Sequence, residues 1–97
     1  KMKCIFKRQA TSANTPIKLE FDVAGIEYLV KNFTQGDIYV ALEETSDKND
    51  CLLIPAECAQ VITARADTNY LPTMKGIMII IPEETDERGI EVQCLKW

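Results

Sequence analysis

Apolar and charged residues alternate strictly from Ile17 to Val23, in the order Ile-Lys-Leu-Glu-Phe-Asp-Val. Successive side chains of a strand point to opposite faces, so this period of two predicts a strand with Ile17, Leu19, Phe21 and Val23 inward. The same pattern recurs along the chain. Met2 to Lys7 reads as a strand with one wet face, Met2, Cys4 and Phe6 on one side and the lysines with Ile5 mostly on the other. Ile26, Tyr28 and Val30 alternate with Glu27, Leu29 and Lys31, and the apolar Leu29 predicts cover on both faces. Ile38, Val40 and Leu42 then alternate with Tyr39, Ala41 and Glu43, which predicts the return strand of a hairpin. Cys51 to Ile54 is a short apolar run. Cys58 to Ala64 resumes after Pro55, whose missing N–H interrupts a ladder. A helix over Ala56 to Ala66 competes with that strand, and the β-branched Val61, Ile62 and Thr63 weigh against it. Lys75 to Ile81 is the most apolar stretch and predicts a central strand buried on both faces. Ile90, Val92 and Cys94 alternate with Glu91, Gln93 and Leu95 to close the chain.

The segments between these runs carry turn chemistry. Arg8 to Thr15 and Arg65 to Thr73 are polar loops, Ala24-Gly25 is a turn, and Glu43 to Asp50 and Pro82 to Gly89 are acidic loops. In Asn32 to Asp37, Gly36 is expected to supply a positive φ, while Asn32 and Asp37 bond to nearby backbone. About eight short strands with frequent turn signals and no convincing helix predict an all-β fold. The expected architecture is a single antiparallel β-sandwich, jelly-roll-like or Greek-key, in preference to a small barrel. At 97 residues the chain reads as one domain, residues 1–97.

Charge narrows the partners. The net charge is −4, and the only basic cluster is Lys1, Lys3, Lys7 and Arg8 on the first strand. A phosphate backbone needs a broader basic face, so nucleic acid is excluded as a partner; lysines on a terminal strand instead guard a sheet edge. The longest apolar run, Ile77 to Ile81, is too short to span a bilayer as a helix, so no membrane partner is expected. No leader pattern opens the chain. Cys4, Cys51, Cys58 and Cys94 include no Cys-x-x-Cys pair, which argues against zinc. Two disulfides are allowed by number, but Cys4, Cys58 and Cys94 fall within apolar alternation and read as buried free thiols.

Catalytic patterns are thin. Without histidine, the usual base for a Ser or Cys nucleophile is missing. The four glycines are isolated and cradle no phosphate. From Asp47, calcium-loop spacing fails at Cys51 and Leu52. Asn32-Phe33-Thr34 matches a glycosylation sequon but lies where a turn is expected. The expectation is a chain that is not an enzyme and uses no cofactor or metal. Aromatic contact residues remain. Phe33, in a turn, either caps the end of the sandwich or anchors a partner, and Tyr39 lies opposite the Ile38/Val40 face. Tyr70 lies in a loop, and Trp97 either closes the sheet or marks a contact surface.

Residues 25–97 resemble small β-sandwich structural proteins of tailed bacteriophages and prophages of Gram-positive bacteria. The features that carry the resemblance are Val30-Lys31-Asn32 ending a strand, Ile38-Tyr39-Val40 beginning the next, the Pro55-Ala56 turn, and the final Glu91-Val92-Gln93-Cys94-Leu95. The resemblance implies a virion-associated or assembly module working by protein–protein contact and self-association. Its location would be the virion, or the bacterial cytoplasm before assembly. Its partners would be further copies of the chain or other phage structural proteins, with Phe33, Tyr39, Tyr70 and Trp97 as contact candidates. The alternatives are a carbohydrate- or ligand-binding β-sandwich using Tyr39, Tyr70 and Trp97, and a bacterial cytoplasmic protein of other function.

Overall fold

The structure, a computed structural model, describes residues 5–21, 27–63 and 76–96. Among these residues eight strands form: β1 (Ile5–Thr11), β2 (Ile17–Phe21), β3 (Glu27–Asn32), β4 (Ile38–Ala41), β5 (Leu52–Ile54), β6 (Ala59–Thr63), β7 (Gly76–Pro82) and β8 (Asp86–Lys96). A single 3₁₀ turn, Lys48–Asp50, precedes β5. Strand order is β1-β8-β3-β6 in one sheet, here sheet A, and β2-β7-β4-β5 in the other, sheet B. All pairings are antiparallel. The pairs β1/β8, β2/β7, β3/β6 and β4/β5 are those of one long ribbon whose first half runs against its second. Winding that ribbon brings β3 against β8 and β4 against β7, which is the topology of a jelly roll.

Alternation dictates the inner faces. β2 is buried at every second residue, and β3 follows with Tyr28, Val30 and Asn32 buried. Inward residues of both sheets, among them Phe21, Ile38, Met78 and Ile80 from sheet B and Val30, Ile90 and Val92 from sheet A, join one core. Phe21 and Tyr28 meet across it, ring centroids 5.2 Å apart. β7 is interior to sheet B, and Ile79 and Ile81 on its outward side are buried as well as Met78 and Ile80.

The expected hairpin between residues 26–31 and 38–43 does not form. β3 and β4 lie in opposite sheets, and apart from β4–β5 consecutive strands always do. A polar Gly-containing turn between two alternating runs serves a crossover as well as a reversal. The choice lies with distant partners, here β8 and β6 for β3 and β7 and β5 for β4.

The crossovers from β1, β3, β5 and β7 are tied together by hydrogen bonds at one end of the sandwich. The buried Asn32 side chain is the centre. Its Nδ2 donates to the carbonyls of Gly36 (2.9 Å), Ile54 (3.2 Å) and Pro55 (3.0 Å), two protons shared among three acceptors. Its Oδ1 accepts from the Thr34 N–H and hydroxyl at 2.9 and 2.7 Å. The sequon at Asn32 is therefore the core of a turn, 1% exposed. The Glu83 N–H donates to the Asp37 carbonyl, and the Thr11 hydroxyl donates to the Glu84 carbonyl while accepting from the Asp86 N–H.

Two glycine positions differ from expectation. Gly36 does not use a positive φ; a Cβ there would meet the Glu84 side chain, so the position needs clearance. The positive φ belongs to Gly89 (60°), where β8 bulges past β1 between the pairs Gln9↔Ile90 and Thr11↔Asp86. This bulge lets β8 begin at Asp86, inside the acidic stretch read as loop, and lets β1 run on to Thr11. Glu57 also has a positive φ (58°), at the third position of the turn closed by the Cys58 N–H on the Pro55 carbonyl.

Asn32→Ala should lower unfolding free energy by about 3 kcal/mol or more, because it orphans several buried backbone groups at once. Urea denaturation measures this. Gly89→Ala should be at least as damaging, since its Cβ would overlap the Gln9 carbonyl, a backbone atom; unchanged stability would contradict the bulge geometry.

Candidate functional site

The two sheets differ in what covers their outer faces. On sheet B, the β4–β5 loop folds back over the strands. Glu44 pairs with Lys18, which points outward between the buried Ile17 and Leu19. The Lys48 ammonium sits 4.9 Å from the centre of the Tyr39 ring, and its Nζ donates to Asn14 Oδ1 at 3.3 Å. Asp47 caps the 3₁₀ turn by accepting from the Asn49 N–H. With this strap in place, the outward-facing Ala41, Ile79 and Ile81 are buried. The charged stretch Glu43–Asp50 is thus a cover held to the sheet. Burial, then the nearby Glu83 and Asp37, pushes the Tyr39 phenol up, which keeps it neutral.

Sheet A has no such strap among the described residues. Its inner face is set by Tyr28, Val30, Ile90, Val92 and Cys94, all buried. Strand alternation therefore puts Leu29, Lys31, Glu91, Gln93 and Leu95 on the outer face. The register aligns a row directly across four strands: Phe6 opposite Gln93, Gln93 opposite Leu29, Leu29 opposite Val61. Phe6 is 56% exposed and Val61 49%, and Leu95, two residues along β8 from Gln93, is 37% exposed. The result is an apolar band across the sheet, interrupted only by an amide. A polar row lies beside it, Arg8–Glu91–Lys31–Ala59. Arg8 Nη2 is 2.7 Å and Lys31 Nζ 3.3 Å from the Glu91 carboxylate. Hydrogen bonds from Arg8 and Lys31 hold that carboxyl below the usual Glu range.

This face inverts the expectation for the first strand. Phe6 points out, whereas Lys7 stands opposite the buried Val92 and lies 5.9 Å from the centre of the Phe21 ring. The physical reason is edge position. At a sheet edge a lysine can turn inward, lay its stem on the core and keep its charge at the rim. Leu29, expected to be covered, is only half-buried.

Of the aromatic candidates, Phe33 is half-buried beside this face. It lines a shallow hollow of about 230 Å³ with Lys31, Glu57, Cys58 and Arg88. Its carbonyl accepts from Arg88 Nη2 at 2.8 Å and its N–H donates to the Gly89 carbonyl. Tyr39 lies on the opposite sheet with one ring face taken by Lys48, so the structure does not bring it to Phe33. Tyr70 and Trp97 lie outside the described residues. Cys58 is exposed rather than buried, because it ends the Pro55 turn before β6 begins. Cys51 is half-buried, Cys94 lies in the core, and Cys4 falls outside the described residues. The members that sequence reasoning missed are Phe6, Val61 and Leu95. Alternation alone could not find them, because it does not say which face of a two-sided strand is covered.

A larger hollow, about 600 Å³, opens between β1 and β2. Its charged groups are already engaged: Arg8 with Glu91, Lys18 with Glu20 and Glu44, Lys7 over Phe21. Among the described residues no three Cys, Asp or Glu side chains gather as a metal site. No protein family matches the chain, and no curated protein or solved structure is significantly similar to it.

The Glu91 contribution to stability is present above the unfolded Glu pKa, about 4.3, and is lost as pH falls through its lowered folded value. Urea midpoints measured between about pH 6 and pH 3 should therefore drop less steeply for Glu91→Gln than for the parent chain. Equal slopes would show that the Arg8–Glu91–Lys31 row does not act on stability.

Proposed function

We propose that the chain is a non-enzymatic structural module that works by protein–protein contact, including contact between its own copies, with the outer face of sheet A as its docking surface. One observation carries the reading: the row Phe6–Gln93–Leu29–Val61, exposed at Phe6 and Val61 and half-buried between them, lies with the exposed Leu95 across a face that no described segment covers. Exposed apolar residues scattered singly mean little, but a contiguous band flanked by a polar row has the composition of an interface core and rim. The strap over sheet B sharpens the contrast, since the same chain holds a loop over the outward Ala41, Ile79 and Ile81 of its other sheet and, among the described apolar residues, leaves only the edge residue Leu53 exposed on that outer face. The jelly-roll topology fits without deciding, as that fold serves shell-forming and ligand-binding proteins alike. The sequence resemblance of residues 25–97 to small phage structural proteins supports the same reading, under which the module would serve in a virion or its assembly. Phe33, at the hollow beside the band, is the aromatic candidate best placed to join such a contact.

The test is the double substitution Phe6→Ser, Leu95→Ser. Both residues keep a large part of their surface in water, so stability should shift by no more than about 1.5 kcal/mol for each. The parent chain should sediment as a defined oligomer or bind a structural partner, and the variant should lose the part of that assembly carried by the outer face. Unchanged assembly in the folded variant would remove the outer face from the contact.

A further inference from the structure

We infer that two copies of this chain pair through β6, edge to edge and antiparallel about Val61, fusing their A sheets into one eight-stranded sheet. The inference rests on the reading above that copies of the chain make contact with one another, and adds to the outer-face contact a distinct one at the β6 edge. Among the described residues this topology has four edge strands: β1 and β6 in sheet A, β2 and β5 in sheet B. Natural edges are guarded by charge, inward lysines or shortness. β1 carries Lys7 and Arg8, with Lys7 turned inward. β2 carries Lys18 and Glu20. β5 is three residues long. β6 has none of these devices: Ala59-Gln60-Val61-Ile62-Thr63 contains no charge, no proline and no glycine, and every residue but Ile62 is exposed.

The backbone register says which groups are offered. The Asn32 N–H donates to the Cys58 carbonyl, so residue 58 turns its backbone toward β3. By alternation residues 60 and 62 do the same, and Ala59, Val61 and Thr63 turn theirs away from the sheet. A two-fold axis through Val61 then pairs Val61 with the second copy's Val61, and Ala59 with its Thr63. About six N–H···O=C bonds form in this arrangement, two for each directly bonded pair. No like charges oppose each other across the axis. Self-pairing of β1 would instead bring Lys7 and Arg8 strands together, which charge complementarity rejects. The pairing also joins the two exposed rows, so that Phe6–Gln93–Leu29–Val61 continues into its symmetry copy. On the inner side, Gln60 comes opposite the second copy's half-buried Ile62. An isologous contact of this kind closes as a dimer and leaves β1 as the outer edge of the fused sheet.

Val61→Pro is the discriminating variant. The Val61 N–H points away from β3, so proline removes no bond among the described residues but interrupts the pairing. The parent chain should pass from monomer to dimer in sedimentation velocity between about 1 and about 500 μM, the range of a small interface. Amide exchange at Ala59, Val61 and Thr63 should slow with concentration. Val61→Pro should sediment as a folded monomer throughout. If it folds poorly, Val61→Lys, which opposes two charges at the axis, serves in its place with the same expected loss. A dimer that persists in either folded variant overturns the inference, and so does a parent chain that stays monomeric with fast exchange at these amides. Phe6→Ser, Leu95→Ser reads the outer-face contact separately, because neither residue lies on β6.

Discussion

Two of the four crossovers at one end of this sandwich, β3–β4 and β5–β6, depend on a single buried amide. Asn32 ends β3 with its side chain in the core, where an unpaired amide would be costly. It is satisfied by the turn that follows it and by the turn between β5 and β6, through the carbonyls of Gly36, Ile54 and Pro55 and the N–H and hydroxyl of Thr34. The chain passes between sheets at both turns. A side chain that must bond both therefore fixes their mutual position, and with it the register of β3 against β6. Asparagine suits the role because it offers donor and acceptor from one planar group. An aspartate there would face three carbonyls with no proton to give.

From that frame the contrast between the two outer faces follows. Both sheets carry apolar residues outward. Sheet B has a ten-residue-scale connection between β4 and β5 that is long enough to return across it, and Lys18–Glu44 and Lys48–Tyr39 hold it there. The same charges that keep this loop solvated also anchor it, which is why an acidic loop can act as a cover. Sheet A is bounded on its described side by the Arg8–Glu91–Lys31 row and leaves Phe6, Val61 and Leu95 in water. Exposure of that kind costs free energy in isolation, and burial against another surface recovers it at roughly 25 cal/mol per Å². The uncharged β6 edge lies at the end of the same row, so face and edge form one continuous surface.

Particular residues show how far local pattern reaches. Ile17, Leu19 and Phe21 are inward as their alternation requires, and Ile90, Val92 and Cys94 likewise. Phe6 and Lys7 exchange faces, because at an edge the preference of a lysine for solvent is met at the rim as well as on the outer face. Asn32 was legible as a turn former but not as the buried hub of two crossovers, since Ile54 and Pro55 are more than twenty residues away. Gly89, not Gly36, carries the left-handed backbone, because the need arises from the closeness of Gln9 on another strand. The outer-face residues were not legible, and Phe33 was legible as unusual only because it interrupts a turn.

The sequence by itself determined the strands, the inward set of most of them and the all-β class. Each of these follows from side chains alternating along a single extended segment, which is a local property. Only the tertiary structure decided that β3 and β4 part into different sheets, that the β4–β5 loop lies over sheet B, and that no described segment covers the outer face of sheet A or the β6 edge. Those outcomes are set by competition among distant segments for the same edges and faces, and no window of the chain contains both competitors.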